Sequence, residues 1–507
     1  MTKLTWWKWA TMCVGIVLAS LARIAAEPMT PTATETSPVV QDEDKALYRG
    51  SGTCVNCHKD GNQKTQPLAS QGFIRLDEYA IWKGEDKHSL AYSNLLGPRG
   101  KRMAALLNTD VTKLPAGCIG CHGAGEAEQK NRGEGDSFDP NEGVSCENCH
   151  GPSSKWFGPH LDSSFRKKTT AEREKLGLND LREPGVQSSQ CLTCHIGNSA
   201  EGKVVTHEMY AAGHPPLPSI EVATFSDIIP RHWWLVGEKP SAKVRQAAGF
   251  VEGTKEKTRL SLVGAAVALK TSMKLLADET KAAGASTVPG LTWPDYARFD
   301  CWSCHHDLKR ESWRQVRGYN AAPGRPPISE WPMVIVELGI TRLALDDPAA
   351  RSLFGELEEH RKQVLDEAYA RPYGRKVPLG DAASKFAAWS DVLIQRLSAA
   401  TYTEDVSAKL LRDLVEIAMK KTVDYDAARQ IGWTIKILKE DAGSKLANLP
   451  EIEEVMGKIN TGLKLDLPAG RKYEIEDQLS QGLQIIGDYE PATLQANLKE
   501  LLALLPK

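Results

Sequence analysis

Two thiols and an imidazole recur at one fixed spacing along this chain. Cys54-Val-Asn-Cys57-His58, Cys118-Ile-Gly-Cys121-His122, Cys146-Glu-Asn-Cys149-His150, Cys191-Leu-Thr-Cys194-His195 and Cys301-Trp-Ser-Cys304-His305 all read Cys-x-x-Cys-His. This order is the attachment signature of c-type haem. The two thiols reach the two vinyl groups on one edge of a porphyrin and form thioethers. The histidine that follows lies under the iron as proximal ligand. Zinc knuckles and disulfides are the other readings of paired cysteines. Zinc ribbons do use Cys-x-x-Cys units, but zinc gives no reason for a histidine directly after each of five pairs. The sequence therefore predicts five c-type haems, with His58, His122, His150, His195 and His305 as proximal ligands.

Of the eleven cysteines, ten lie in these motifs. The other, Cys13, sits in the N-terminal segment without a convincing lipobox and reads as an apolar filler. No thiol is left for a structural disulfide or a nucleophile. Of the twelve histidines, five are proximal, which leaves His88, His160, His207, His214, His232, His306 and His360. That supply lets every iron take a second imidazole, and an imidazole pair keeps the potential below that of Met/His ligation. Met103 and Met209 stay open as axial ligands. An iron without a sixth ligand would be open to a small molecule.

The elements that must position these groups read as helices and loops. From Tyr79 to Asn108, Ile81, Trp82, His88, Ala91, Tyr92, Leu95 and Leu96 recur mostly at three- and four-residue steps, with Gly97-Pro98 as an interruption. His88 lies on or near the apolar face; it is either a structural histidine or a distal ligand, and the number of irons to fill favours the ligand. Residues 123–145 are rich in glycine and acid and read as a loop. The second and third motifs are so close in sequence that their haems are expected to be neighbours. His160 follows a proline that fixes the backbone before it, which suits a ligand on a rigid turn or an exposed turn residue.

The N-terminal 1–26 reads as a secretory signal, with Lys3 and Lys8, an apolar run from Ala10 to Ala22, and small residues at Ala22 and Ala26 where cleavage fits. An uncleaved membrane anchor is the alternative, and membrane association follows only in that case. Either way the chain is expected in the periplasm or otherwise exported. Residues 27–47 read as a disordered linker. The formal charge of −2 becomes about −5 once Lys3, Lys8 and Arg23 are removed. No basic stripe points to nucleic acid.

After the fourth motif comes Thr206-His207-Glu208-Met209-Tyr210-Ala211-Ala212-Gly213-His214-Pro215. His-x(5)-Gly-His-Pro downstream of four such motifs resembles the tetrahaem cytochrome c-554 family. The spacing of the first four motifs and Lys87-His88-Ser89-Leu90-Ala91-Tyr92 are similar too, so the resemblance covers residues 48–235. It implies a mostly helical, loop-rich fold wrapped on stacked haems, with redox proteins as partners. It also implies His88, His207 and His214 as distal ligands, with His160 and His232 as weaker candidates.

A fifth motif and a long C-terminal region depart from the family's pattern. Residues 241–287 read as a haem-free helical insertion; Arg259, Lys270 and Lys274 argue against a membrane span there. His306, directly after His305, either reaches a neighbouring haem or is an exposed polar residue. Arg314 and Arg317 are candidate partners of haem propionates, and the Pro/Gly-rich crossing Pro323–Pro327 marks a boundary. From Ile328 on, helical periodicity takes over, with Thr403 suited to an N-cap and Pro491 to a first turn.

The expected architecture is mainly α: a loop-rich pentahaem domain over 48–327, then a haem-free helical bundle over 328–507. The leading functional expectation is an electron carrier between a donor and an acceptor protein. The alternative is an oxidoreductase acting on a small nitrogen or sulfur compound at a five-coordinate haem. None of the motifs replaces its histidine by lysine, which weighs against that alternative. A third possibility is a structural subunit that docks a catalytic partner through its C-terminal helices.

Overall fold

The computed structural model describes residues 45–62, 72–114, 117–133, 137–282, 293–306, 308–312, 322–467 and 478–506. The expected signal segment, the linker as far as residue 44, and Arg314 and Arg317 lie outside the described residues. Leu47, at the end of the expected linker, already exchanges hydrogen bonds with Ser154: its amide donates to Ser154 Oγ at 2.7 Å and its carbonyl accepts from the Ser154 amide at 3.1 Å.

The protein is mainly α. Among the described residues, β-structure amounts to isolated bridges such as Phe299 with Ile328. In the first half of the chain, the stretch with helical spacing after Tyr79 divides into Glu78–Glu85, a 3-10 turn Lys87–Leu90, Ala91–Leu96 and Pro98–Leu106. Two breaks cause the division. The Asp86 side chain accepts from the His88 amide and starts a new turn. Gly97 is extended at φ −70°, ψ 173°, and Pro98 then begins the next helix. Within 123–145, read as loop, Glu126–Lys130 forms one helical turn.

The motif-bearing elements are short. Cys118–His122 and Cys146–His150 are single helical turns, while the fourth motif ends the longer helix Pro184–His195. In these three motifs helical backbone places the two cysteines on one face, three residues apart.

Helix Glu256–Ala282 runs through the centre of the second half. It packs on Lys376–Ala399, Met333–Asp346 and Tyr425–Ala442, and on the motif helix Pro184–His195. Its Leu262, Val263, Ala266 and Ala268 have no exposure, and Leu192 of the motif helix joins the same core. Each such leucine contributes on the order of 2 kcal/mol by leaving water. The helix is long and apolar enough to cross a membrane, but here its apolar side chains are the core of a helix bundle. The stretch read as a haem-free insertion thus lies at the heart of the C-terminal helices, and residues Ala46–Lys507 form one compact unit.

The remaining helices, Ser352–Tyr369, Glu404–Met419, Leu449–Leu463, Gln478–Gly487 and Pro491–Leu504, complete the bundle. Thr403 caps Glu404–Met419 by accepting from the Val406 amide at 3.3 Å, and Pro491 opens the last helix as its sequence position predicts. Gly487 lies against the ring of Trp302, so the bundle packs on the buried Trp302 of the fifth motif.

Candidate functional site

Histidine rings meet in pairs. His58 lies 6.5 Å from His160, His88 6.4 Å from His195, His122 6.4 Å from His214, and His207 6.3 Å from His305, all between ring centroids. Each pair joins one motif histidine to one histidine expected to be distal. A metal–nitrogen bond of ~2.0 Å and the ~1.1 Å from ring nitrogen to centroid, each counted twice, put two imidazoles about 6.2 Å apart across one metal ion. The residues present therefore fit an iron held between two imidazoles at these four places.

Hydrogen bonds at the far side of the rings fix the tautomers. His122 Nδ1 meets the Ala91 carbonyl at 2.9 Å, and His214 Nδ1 meets the Pro215 carbonyl at 2.7 Å. His160 Nδ1 meets the carbonyl of Phe157. His58 Nδ1 meets Glu78 Oε2 at 2.8 Å, and His88 Nδ1 meets Asp86 Oδ1 at 3.0 Å. Carbonyls and carboxylates only accept, so in all five rings Nδ1 carries a proton and Nε2 is the nitrogen free to face a metal. Burial pushes His195 and His214 down to about 4, which leaves these imidazoles neutral, as a ligand must be.

Local structure explains how each ring is aimed. Helix His207–Ala212 starts at Thr206, whose hydroxyl accepts from the Met209 amide at 3.3 Å. It stops at Gly213, left-handed at φ 114°, and His214 follows with its amide on the Met209 carbonyl at 2.9 Å. One short helix thus carries His207 at its start and His214 just past its end, about 10 Å apart along the axis. Asp295 ties this helix to the approach of the fifth motif: its Oδ1 accepts from the His207 amide at 3.0 Å and from the Ala297 amide at 2.8 Å. His160 lies in the 3-10 turn Pro159–Leu161, between the rings of Trp156 and Phe157.

His150 stands apart. It is half-buried and held neutral, pushed down to about 4 by desolvation and then by the charges of His232 and His58. His232 packs against Trp233, 5.0 Å away. Among the described residues, however, none of the ring pairs near 6.4 Å includes His150. His306 ends the turn Trp302–His305, opposite which His207 takes the facing position. His360 stacks on Phe386, 5.7 Å away, and packs near Trp389 inside the bundle.

The motifs themselves cluster. The Cys54 thiol lies against Cys146, and Cys121 against Cys194, close enough for each pair to shift one another's ionisation; Cys149 feels both Cys191 and Cys194. The thiols therefore link motif one to three, three to four, and four to two. The second and third motifs, close in sequence, meet through the Asn148 amide and the Gly123 carbonyl at 3.5 Å. Glu147, inside the third motif and buried, binds the segment before the first. It accepts from the Gly50 amide at 2.7 Å, the Arg49 amide at 2.9 Å and the Ser153 amide at 2.7 Å.

Residues 53–151 match the cytochrome c554 and c-prime family. The match carries the first three motifs and supports a c-type cytochrome, with haem iron, that works in electron transfer among redox proteins. It is narrower than the 48–235 over which the sequence resembles c554 proteins. The fourth motif, the helix His207–Ala212, the fifth motif and the bundle lie beyond the c554 segment. No curated protein matched the chain, and no solved structure matched it.

Glu78, Asp86 and Glu147 are not among the residues singled out from sequence. Asp86 stands two before His88, a spacing that favours an Asx-type turn and offers a signal. Glu78 is twenty residues from His58, and only folding brings the two together.

Proposed function

We propose that the chain is an exported, periplasmic pentahaem c-type cytochrome that moves electrons between redox proteins through mostly bis-histidine haems. Bound haem supplies the one-electron chemistry. The chain's own residues hold and aim it: the ten motif cysteines provide thioether bonds, and His58, His122, His150, His195 and His305 the proximal imidazoles. His160, His214, His88 and His207 serve as distal partners of His58, His122, His195 and His305. His232 is the candidate beside His150. The observation that carries this reading is the set of four ring pairs at iron-spanning separation.

The order of thiol contacts makes the proposed arrangement a chain of motifs one, three, four and two. Helix His207–Ala212 extends it from two to five. Both ends then serve redox proteins. The expected test is haem content together with low-temperature electron paramagnetic resonance of the oxidised, purified protein. Five haems with low-spin ferric signals support the carrier.

The second reading, an oxidoreductase for a small nitrogen compound, draws on His150, whose ring lacks a partner at that separation among the described residues. A high-spin ferric signal that changes on adding nitrite or hydroxylamine would favour it.

A further inference from the structure

Two of the proposed ligand pairs differ from a third in what stands behind a ring. Behind His88, Asp86 offers a carboxylate at 3.0 Å; behind His58, Glu78 offers one at 2.8 Å. Behind His122 and His214 stand only the carbonyls of Ala91 and Pro215. We propose that Glu78 and Asp86 are positioning residues that lower the reduction potentials of the haems at the first and fourth motifs, leaving the second-motif haem higher. The inference rests on the haem-ligand reading above.

The physical argument has two parts. A carboxylate that accepts the Nδ1 proton gives the imidazole imidazolate character and makes Nε2 a stronger donor, which favours ferric over ferrous iron. A fixed negative charge near the metal also opposes the arrival of an electron, most strongly in a buried site. Both carboxylates are built in. Asp86 is buried and also accepts from the His88 amide at 2.9 Å, and Glu78 accepts from the Arg75 amide at 2.9 Å.

The second and fourth motifs allow a clean comparison. Their ring planes cross at 85° and 88°, so ring orientation does not separate them. Lys203, buried beside Cys121 and Cys194, weighs on both. The acceptor behind the ring differs between them, and so do the ring neighbours, Tyr210 beside His214 and Phe225 beside His195.

The test uses the full, haem-loaded protein and redox titration followed by paramagnetic resonance, which tracks each haem by its own signal. Asp86→Asn is expected to raise the fourth-motif midpoint, and Glu78→Gln the first, each by about a tenfold change in the reduction equilibrium, or 59 mV for one electron. The ferric charge-transfer band in the near infrared should shift with the lost ligand basicity. Asp77→Asn is the control, because Asp77 carries the same charge next to Glu78 but binds Arg75 at 2.9 Å. Midpoints that move less than twofold in equilibrium constant, with low-spin signals intact, overturn the inference and leave the carrier reading standing. An Asp77→Asn shift as large as that of Glu78→Gln also overturns it. Absence of low-spin signals from the unaltered protein would instead sink the carrier reading. Each variant decides for its own haem if the other does not accumulate.

Discussion

The rings of His122 and His214 stand almost perpendicular, at 85°, whereas those of His207 and His305 lie nearly parallel, at 26°. The other two pairs divide in the same way: His88 with His195 at 88°, His58 with His160 at 21°. Orientation sets how far the iron's d orbitals split, so the four proposed haems fall into two spectroscopic classes.

Near-parallel imidazoles give ordinary rhombic low-spin ferric spectra; near-perpendicular ones give a large maximal g value. The oxidised protein should show both, with the first- and fifth-motif haems in the rhombic class and the second and fourth in the other. His214→Ala should remove one large-g signal and add one high-spin haem. His207→Ala should do the same to one rhombic signal. Spectra in which either substitution leaves every low-spin signal in place would refute that pairing.

Glu147 joins the first motif's approach to the third motif through the Arg49 and Gly50 amides, and also binds the Ser153 amide of its own segment. Glu147→Ala leaves the buried Gly50 and Ser153 amides and the half-buried Arg49 amide without partners, at a cost of about 2–3 kcal/mol. The expected result is a lower urea midpoint in the haem-loaded protein. An unchanged midpoint would show that the junction is held by other contacts.

Glycine substitutions should go in opposite directions at two helical sites. Gly457 in Leu449–Leu463 is exposed with open space around its Cα, so Gly457→Ala should stabilise by about 0.5–1 kcal/mol through helix propensity. Gly380 in Lys376–Ala399 sits against the Thr280 hydroxyl of the central helix, which itself donates to the Ala277 carbonyl at 2.8 Å. There the added methyl overpacks a close helix crossing, and Gly380→Ala should destabilise by roughly 1–3 kcal/mol. Thermal unfolding of both variants decides; stabilisation by Gly380→Ala would mean the crossing is looser than it is drawn.

Glu279 on the central helix is buried, and burial raises its carboxyl from 4.5 to about 7, against the pull of Arg298 3.1 Å away. Asp295 and Asp278 raise it further. Between those two values the folded chain keeps a proton that the unfolded chain has released. Stability from this group is therefore complete below pH 4.5 and is lost as pH rises through about 7. The loss amounts to about 3 kcal/mol at most. Glu279→Gln should flatten that slope when unfolding is followed across the window. An equal slope in the variant would remove Glu279 as its source.

The proposed covalent chemistry was read from the chain alone. A thioether site needs two thiols and an imidazole within five residues, and such local spacing survives any fold. Helix periodicity after Ile328, the Thr403 cap and the Pro491 start were local in the same sense. The break at Asp86 turned on one side chain competing for a backbone amide, which periodicity does not see. The role of Glu256–Ala282 was hidden for a different reason. An apolar helix looks alike as an insertion or as a core, and only its neighbours decide which it is. Pairing of His58 with His160, the carboxylate of Glu78 behind His58, and the facing of His207 and His305 join residues far apart in sequence. Composition supplied enough imidazoles for every iron, but which ring faces which is set by helix packing, because a ligand bond reaches only ~2 Å and a sequence carries no distances between its distant parts.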